Sequence, residues 1–132
     1  MRLYHHSIST CSRRVMMAAL HMGTPLELTE VNLMSPEDRR RLVAINPNSK
    51  LPVLQDGEFT LWESCAIMQY LADRTHGQDL YPDNIMIRAD INRWMMWGVQ
   101  HFAPPPALSS SDMSTGTGVK PREKSDFASS VA

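Results

Sequence analysis

A proline inside an apolar run sets the strongest constraint on how this chain can fold. Residues 50–54 read Lys50-Leu51-Pro52-Val53-Leu54, an extended stretch. Proline has no N–H to give to a ladder, so an ordinary central strand cannot pass through position 52. Two readings stand. Pro52 lies on an edge strand, or the Leu51–Pro52 peptide is cis at a bend into the strand. Cis costs only about 0.5–1 kcal/mol before proline, against roughly 2.5–4 kcal/mol elsewhere. A bend there leaves the backbone of Leu51 free to pair with a peptide-like ligand lying alongside. A turn at Gln55-Asp56-Gly57-Glu58 follows, then a second extended run over residues 59–62. Next comes a periodic helix with Ile67, Tyr70 and Leu71 on its buried face, ended near Gly77. Lys50, the Leu51–Pro52 peptide and Glu63-Ser64 are expected to converge at one end of this half-domain.

The upstream half supplies the remaining elements. Residues 1–4 form a short apolar strand, and residues 5–10 a polar loop. A helix over residues 11–22 carries Val15, Ala18, Ala19 and Met22 on one face and stops at Gly23. Residues 26–31 alternate, with Leu26, Leu28 and Val31 inward, as in a half-buried strand. Ser35-Pro36-Glu37-Asp38 is a helix start: a cap, a proline in the first position and two acids in the first turn. That helix runs to Ile45, where Asn46-Pro47 breaks it. The order is β-α-β-α-β-β-α, a small α/β domain closed by an antiparallel hairpin.

Residues 78–84 read as a linker into a new helix over residues 85–103. Ile87, Ile91, Trp94, Met95, Gly98 and Phe102 share one stripe, yet Met86, Met96, Trp97 and Val99 carry apolar surface well beyond it. Such a helix wants neighbours on several sides. Residues 104–132, opening on three prolines and rich in Ser, Thr and Gly, hold too few apolar groups to offset their ordering entropy and are expected to be mostly disordered. A second domain is thus expected to begin and not to finish.

Charge and composition exclude several classes. Net charge is -1, and the only basic cluster, Arg39-Arg40-Arg41, fits a solvated helical turn, which speaks against nucleic acid. No apolar run approaches membrane-spanning length, and residues 1–22 do not read as a signal-peptide apolar core, so a cytoplasmic protein without a membrane partner is expected. Cys11 and Cys65 form no CxxC pair, and His5-His6 have no further ligand at metal spacing and read as solvated loop residues. Neither a metal nor a cofactor is expected.

Two helix starts carry the candidate chemistry. The loop before the first helix holds Ser7, Ser9, Thr10 and Ser12, and hydroxyls there are most often caps, worth about 1 kcal/mol. A helix start also favours an anion, so a hydroxyl from this loop can donate to a bound thiolate. Cys11 is the alternative, since a thiol at a helix start can be acidified. At the other start, Ser64 offers a hydroxyl, a backbone N–H and the helix dipole to a carboxylate, while Glu63 faces the neighbouring ammonium. A free α-amino-acid end satisfies both, although plain capping by Glu63 or Ser64 is the competing reading.

Taken together, Asn46-Pro47, Lys50-Leu51-Pro52-Val53-Leu54 and Glu63-Ser64 with Ala66-Ile67 and Tyr70-Leu71 resemble the glutathione transferases over residues 1–102. Leu3-Tyr4, Ser9 and Arg14-Val15 are similar to the serine-type members, phi- and theta-like or bacterial. The resemblance implies a thioredoxin-like βαβαββα domain, residues 1–77, followed by the first helix of an incomplete all-α domain. It implies an enzyme that takes glutathione as co-substrate, with no further cofactor, and passes its sulfur to a small electrophile in detoxification, commonly as a homodimer. Ser9 then corresponds to the residue that holds the glutathione sulfur, with Cys11 as runner-up because Cys11-Ser12 resembles a beta-type pair. Lys50 lies near glutathione, Leu51 pairs with it ahead of cis Pro52, and Glu63 and Ser64 hold its γ-glutamyl end. Where phi-like members carry basic residues before the second helix, this chain has Leu33 and Met34, leaving Arg39 as a substitute. The alternative is a non-catalytic transferase-like module for binding or assembly.

Overall fold

The structure, a computed structural model, describes residues 1–101. Phe102 and the tail expected to be disordered lie outside the described residues. The elements are β1 (Arg2–His5), α1 (Thr10–Met22), β2 (Glu27–Glu30), α2 (Pro36–Ile45), β3 (Val53–Asp56), β4 (Phe59–Trp62), α3 (Ser64–Arg74) and α4 (Ile85–His101). Four strands form one mixed sheet in the order β2-β1-β3-β4. β1 and β2 are parallel, while β1–β3 and β3–β4 are antiparallel. This is the thioredoxin-like βαβαββα arrangement with one helix added.

Local chemistry sets most boundaries. Ser9 caps α1 by accepting from the Ser12 N–H, and Gly23 ends the helix in the left-handed region, φ 69°. Ser35 caps α2 in the same way, accepting from Asp38 N–H, with Pro36 in the first turn beside two acids. The Leu51–Pro52 peptide is cis. β3 therefore starts at Val53, three residues later than the apolar run, because Pro52 has no donor for the ladder. The hairpin turn is tighter than expected. Asp56 pairs with Phe59, leaving only Gly57 and Glu58 in the loop, and Gly57 takes φ 60° there. Asp56 is itself held by the Tyr70 hydroxyl, 2.8 Å away, and by Arg74. That bond to a carboxylate raises the pKa of Tyr70.

Two layers cover the sheet. Leu3, Val15, Ala19, Leu54, Ile67 and Leu71 pack between the sheet and α1 and α3. Val31, Leu42 and Val53 pack beneath α2. The second strand departs from its expected pattern. Leu28 stands 52% exposed, although it is in register with fully buried Leu3. β2 is an edge strand, so helices cover its neighbours better than itself.

Met1–Trp97 forms one compact unit. Within it the start of α4 is fastened by Arg88, which bonds Pro82 C=O at 2.7 Å and Asp73 at 2.7 Å and stacks on buried Tyr81. The linker is therefore an anchored turn. No residue of α4 is buried, and Ile85, Met86, Ile87, Trp94 and Met96 are exposed. No described helix is long and apolar enough to cross a membrane.

Candidate functional site

Strand directions bring the candidate residues together. Tyr4 pairs with Val53 and Val53 with Trp62. The C-terminal ends of β1, β2 and β4 and the N-terminal end of β3 thus lie along one edge of the sheet. The segments entering or leaving there are the Ser9 loop, the Lys50-Leu51-Pro52 segment and Glu63-Ser64. Helices α1 and α3 both begin at this edge, so two sets of free N–H groups and two positive dipole ends lie beside it.

The Ser9 loop is held by many bonds. His6 N–H donates to fully buried Ser12 Oγ at 3.4 Å, and Ser12 N–H donates to Ser9 Oγ at 3.2 Å. Ile8 N–H donates to His6 Nδ1 and Arg13 Nε to the Ser7 carbonyl. Ser7 N–H reaches Glu30, and these Ser7 bonds, with His5 and His6 nearby, lower the Glu30 pKa. Capping takes only one lone pair of Ser9, so its proton is available to another acceptor. The histidines are not simply solvated: both are partly buried, His6 braces the loop, and His5 Nδ1 is a buried atom without a partner among the described residues. Cys11 sits half-buried in the first turn of α1.

The β3 entrance depends on a residue that pattern reading passed over. Asn46 is 1% exposed; its Nδ2 donates to the Lys50 carbonyl at 2.8 Å, and its Oδ1 accepts from Asn48 N–H. The loop returning to cis Pro52 is thereby pinned, with Ser49 at φ 53°. Its signal in the sequence is an asparagine at the helix end before a proline-broken loop. Lys50 is exposed, Leu51 half-buried and Pro52 buried.

At the third segment, Glu63 occupies the N-cap of α3 at φ 75°, ψ 112°, and its side chain makes no capping bond. That conformation is costly for a residue with a Cβ, on the order of 1–3 kcal/mol. Ser64 is 5% exposed and its hydroxyl makes no hydrogen bond among the described residues. Next to it, Cys65 Sγ lies 3.9 Å from Arg14 Nη1 and 4.0 Å from the Met95 carbonyl. Among the described residues no cluster of three or more His, Cys, Asp or Glu side chains is placed to hold a metal ion.

Residues 8–74 match the family profile described as "Glutathione S-transferase, N-terminal domain". The chain belongs to the glutathione S-transferase family. It is similar to glutathione S-transferase F10 of Arabidopsis thaliana, at 35% identity over 71% of this chain and 45% of that protein. With human glutathione S-transferase theta-2 it shares 35% identity over 74% of this chain and 41% of the relative. A solved theta-class glutathione S-transferase from Xanthomonas axonopodis pv. citri, with glutathione bound, superposes with TM-score 0.68 at 35% identity, covering 77% of this chain and 49% of that one. The chain thus spans less than half the length of the curated transferases it matches.

Proposed function

We propose that this chain binds glutathione across the edge of its sheet and activates the thiol for attack on a small electrophile. The observation that carries the reading is the strand register, which gathers the Ser9 hydroxyl, the Leu51–Pro52 peptide and Glu63-Ser64 along one edge with two helix N-termini. The γ-glutamyl carboxylate sits at Ser64 and the start of α3, with its ammonium facing Glu63. The cysteinyl backbone pairs with Leu51, while Lys50, with Arg39 further along α2, faces the glycine end. Ser9 donates its free proton to the sulfur.

Magnitudes allow this. A thiol of pKa near ~8.5 needs about 2 kcal/mol of differential stabilisation to be mainly thiolate at neutral pH. One hydrogen bond to a charged group supplies roughly 1.5–3 kcal/mol, and the α1 dipole adds to it. The thiol proton passes to solvent. The thiolate then forms a carbon–sulfur bond as the leaving group departs with its electron pair. Cys11 is the second candidate for the thiol-activating position. Detoxification in the cytoplasm, as a homodimer, is the setting proposed.

Calorimetric titration with glutathione up to millimolar concentration tests the binding; no uptake would end this reading. Conjugation of chlorodinitrobenzene by Ser9→Ala, compared with the parent chain, tests the chemistry. The second reading, a non-catalytic binding or assembly module, is favoured by the exposed apolar surface of α4. A rate no higher than the uncatalysed background in both the parent chain and Ser9→Ala, with glutathione still bound, would select it.

A further inference from the structure

The turn that presents Ser9 is fastened by a side chain whose charge depends on pH. Residues 6–9 close on themselves where Ser9 N–H donates to the His6 carbonyl at 3.0 Å. Inside that turn Ile8 N–H donates to His6 Nδ1 at 3.3 Å, and His6 N–H donates to Ser12 Oγ at 3.4 Å. The same bond, from an amide to the side chain two residues before it, recurs elsewhere in the protein. Met34 N–H donates to Asn32 Oδ1 at 2.9 Å, Asn48 N–H to Asn46 Oδ1 at 3.0 Å, and Met86 N–H to Asn84 Oδ1 at 3.0 Å. It is a common way for a short polar side chain to fix a turn. In those three turns the acceptor is an amide oxygen, which does not titrate. At the Ser9 turn it is an imidazole nitrogen.

A backbone N–H can only donate, so His6 Nδ1 carries a lone pair and the neutral ring holds its one proton on Nε2. A second proton fills that lone pair and sets two N–H donors against each other. Imidazoles ordinarily change charge between about pH 5 and 8. Around the turn stand Glu30 from β2, His5 from β1, and Cys11 and Arg13 from α1. Glu30, bonded to Ser7 N–H and held below its ordinary 4.5, is already ionised in that window. Arg13, bonded to the Ser7 carbonyl, is charged throughout. His5 is the other histidine beside the turn, and its Nδ1 bonds nothing among the described residues.

We propose that His6 is a positioning residue for Ser9 and works only as the neutral imidazole: its unprotonated Nδ1 holds the Ile8 amide, and protonation releases the turn and withdraws the Ser9 hydroxyl from the sulfur. The inference rests on the glutathione reading above, in which Ser9 stabilises the thiolate. Acid then acts twice on the bound thiol. It protonates the sulfur directly, and through His6 it weakens the hydrogen bond that favours the thiolate. Losing one ordinary hydrogen bond lowers the thiolate-to-thiol ratio by roughly threefold to tenfold.

The test follows the ultraviolet thiolate absorbance of glutathione bound to the full chain, with uptake at each pH verified by calorimetry. Ionisation is read directly, so the outcome does not depend on turnover. A lone thiol gains about tenfold in thiolate-to-thiol ratio per pH unit. The parent is expected to climb more steeply, exceeding that rise by roughly threefold to tenfold in all between about pH 5 and 8. His6→Asn keeps an acceptor for Ile8 N–H and does not titrate there. It should meet the parent at the alkaline end, lie above it at the acid end, and climb as a lone thiol does. His6→Ala has no acceptor and should climb in the same plain way, roughly threefold to tenfold below His6→Asn at every pH. Circular dichroism should show both variants folded. A parent no steeper than a lone thiol, or equal ratios in the two variants, overturns the role of His6 while leaving the glutathione site standing. Steepness that survives in His6→Asn hands the role to His5 and overturns it likewise. Failure of glutathione to bind at any pH overturns the site and this inference with it.

Discussion

Asn46 Nδ2 donates to the carbonyl of Lys50 at 2.8 Å, fastening the end of α2 to the residue that precedes the Leu51–Pro52 peptide. Replacing Asn46 with alanine strands the Lys50 carbonyl and the Asn48 N–H, and a buried group left without its partner costs about 1–3 kcal/mol. Asn46→Ala should lose about 2 kcal/mol in urea unfolding and bind glutathione more weakly. A variant as stable as the parent would mean that the loop is held by other means.

Ser9 is given two duties, and they can be pulled apart. Ser9→Ala removes both, so stability should drop by about 1 kcal/mol and the conjugation rate by roughly tenfold to a hundredfold, the worth of one hydrogen bond to a thiolate. Ser9→Asp keeps a capping acceptor for Ser12 N–H but has no proton to give. It should unfold like the parent and fail to conjugate. Parental activity in Ser9→Asp would move the role to Cys11.

The backbone of Glu63 lies at φ 75°, where glycine is at ease and glutamate is not. Glu63→Gly should raise the midpoint of denaturation, by about 1 kcal/mol in stability, while abolishing retention on glutathione-agarose. Glu63→Ala should lose retention without that gain in stability. If both variants were retained as well as the parent, the ammonium would have to dock elsewhere.

Acid should loosen the Ser9 loop through Glu30. Its folded pKa is depressed below the ordinary 4.5, first by its bonds with Ser7 and then by His5 and His6. A depressed carboxylate pKa contributes stability above the ordinary value and loses it as pH falls through the folded one. The stability difference between parent and Glu30→Gln should therefore be constant above about pH 4.5 and close below it. A difference that widened on acidification would contradict the assignment. Being exposed, Glu30 should give a small effect.

The open side of α4 invites self-association. Trp94 and Met96 are both exposed, and a solution-scattering mass above that of one chain is expected. The double variant Trp94→Lys, Met96→Lys should return it toward the monomer. A monodisperse monomer in the parent would remove the case for a dimer through this helix.

The parts that were legible in the sequence are those fixed by local chemistry. Ser35-Pro36, Gly23, Gly57 and Pro52 each act within a few residues of themselves, so the order of elements follows from them. The end of the half-domain that bears Lys50, Leu51 and Glu63 could be placed for the same reason, whereas Ser9 joins it only through the β1–β3 pairing. What depended on distant contacts was hidden. Nothing near Leu28 says that its strand lies on an edge, and nothing near Tyr81 says that Arg88 will stack on it. Asn46 reads as a helix terminator until the returning loop is seen to need its amide, and His6 reads as solvated until Ile8 is found bonded to its ring. Glu63 gave no warning of its backbone, since left-handed turns are normally marked by glycine or asparagine.

Because the gathered edge is assembled from chain segments as far apart as Ser9 and Glu63, no fragment of the domain would own enough of it to retain a tripeptide. Ligand uptake would then report completion of the whole sheet, and any compact intermediate lacking the β1–β3 pairing would be blind to it. At a hundred times its dissociation constant the tripeptide would add about 2.7 kcal/mol to the folded state alone, making a shift in melting temperature a direct census of correctly assembled molecules.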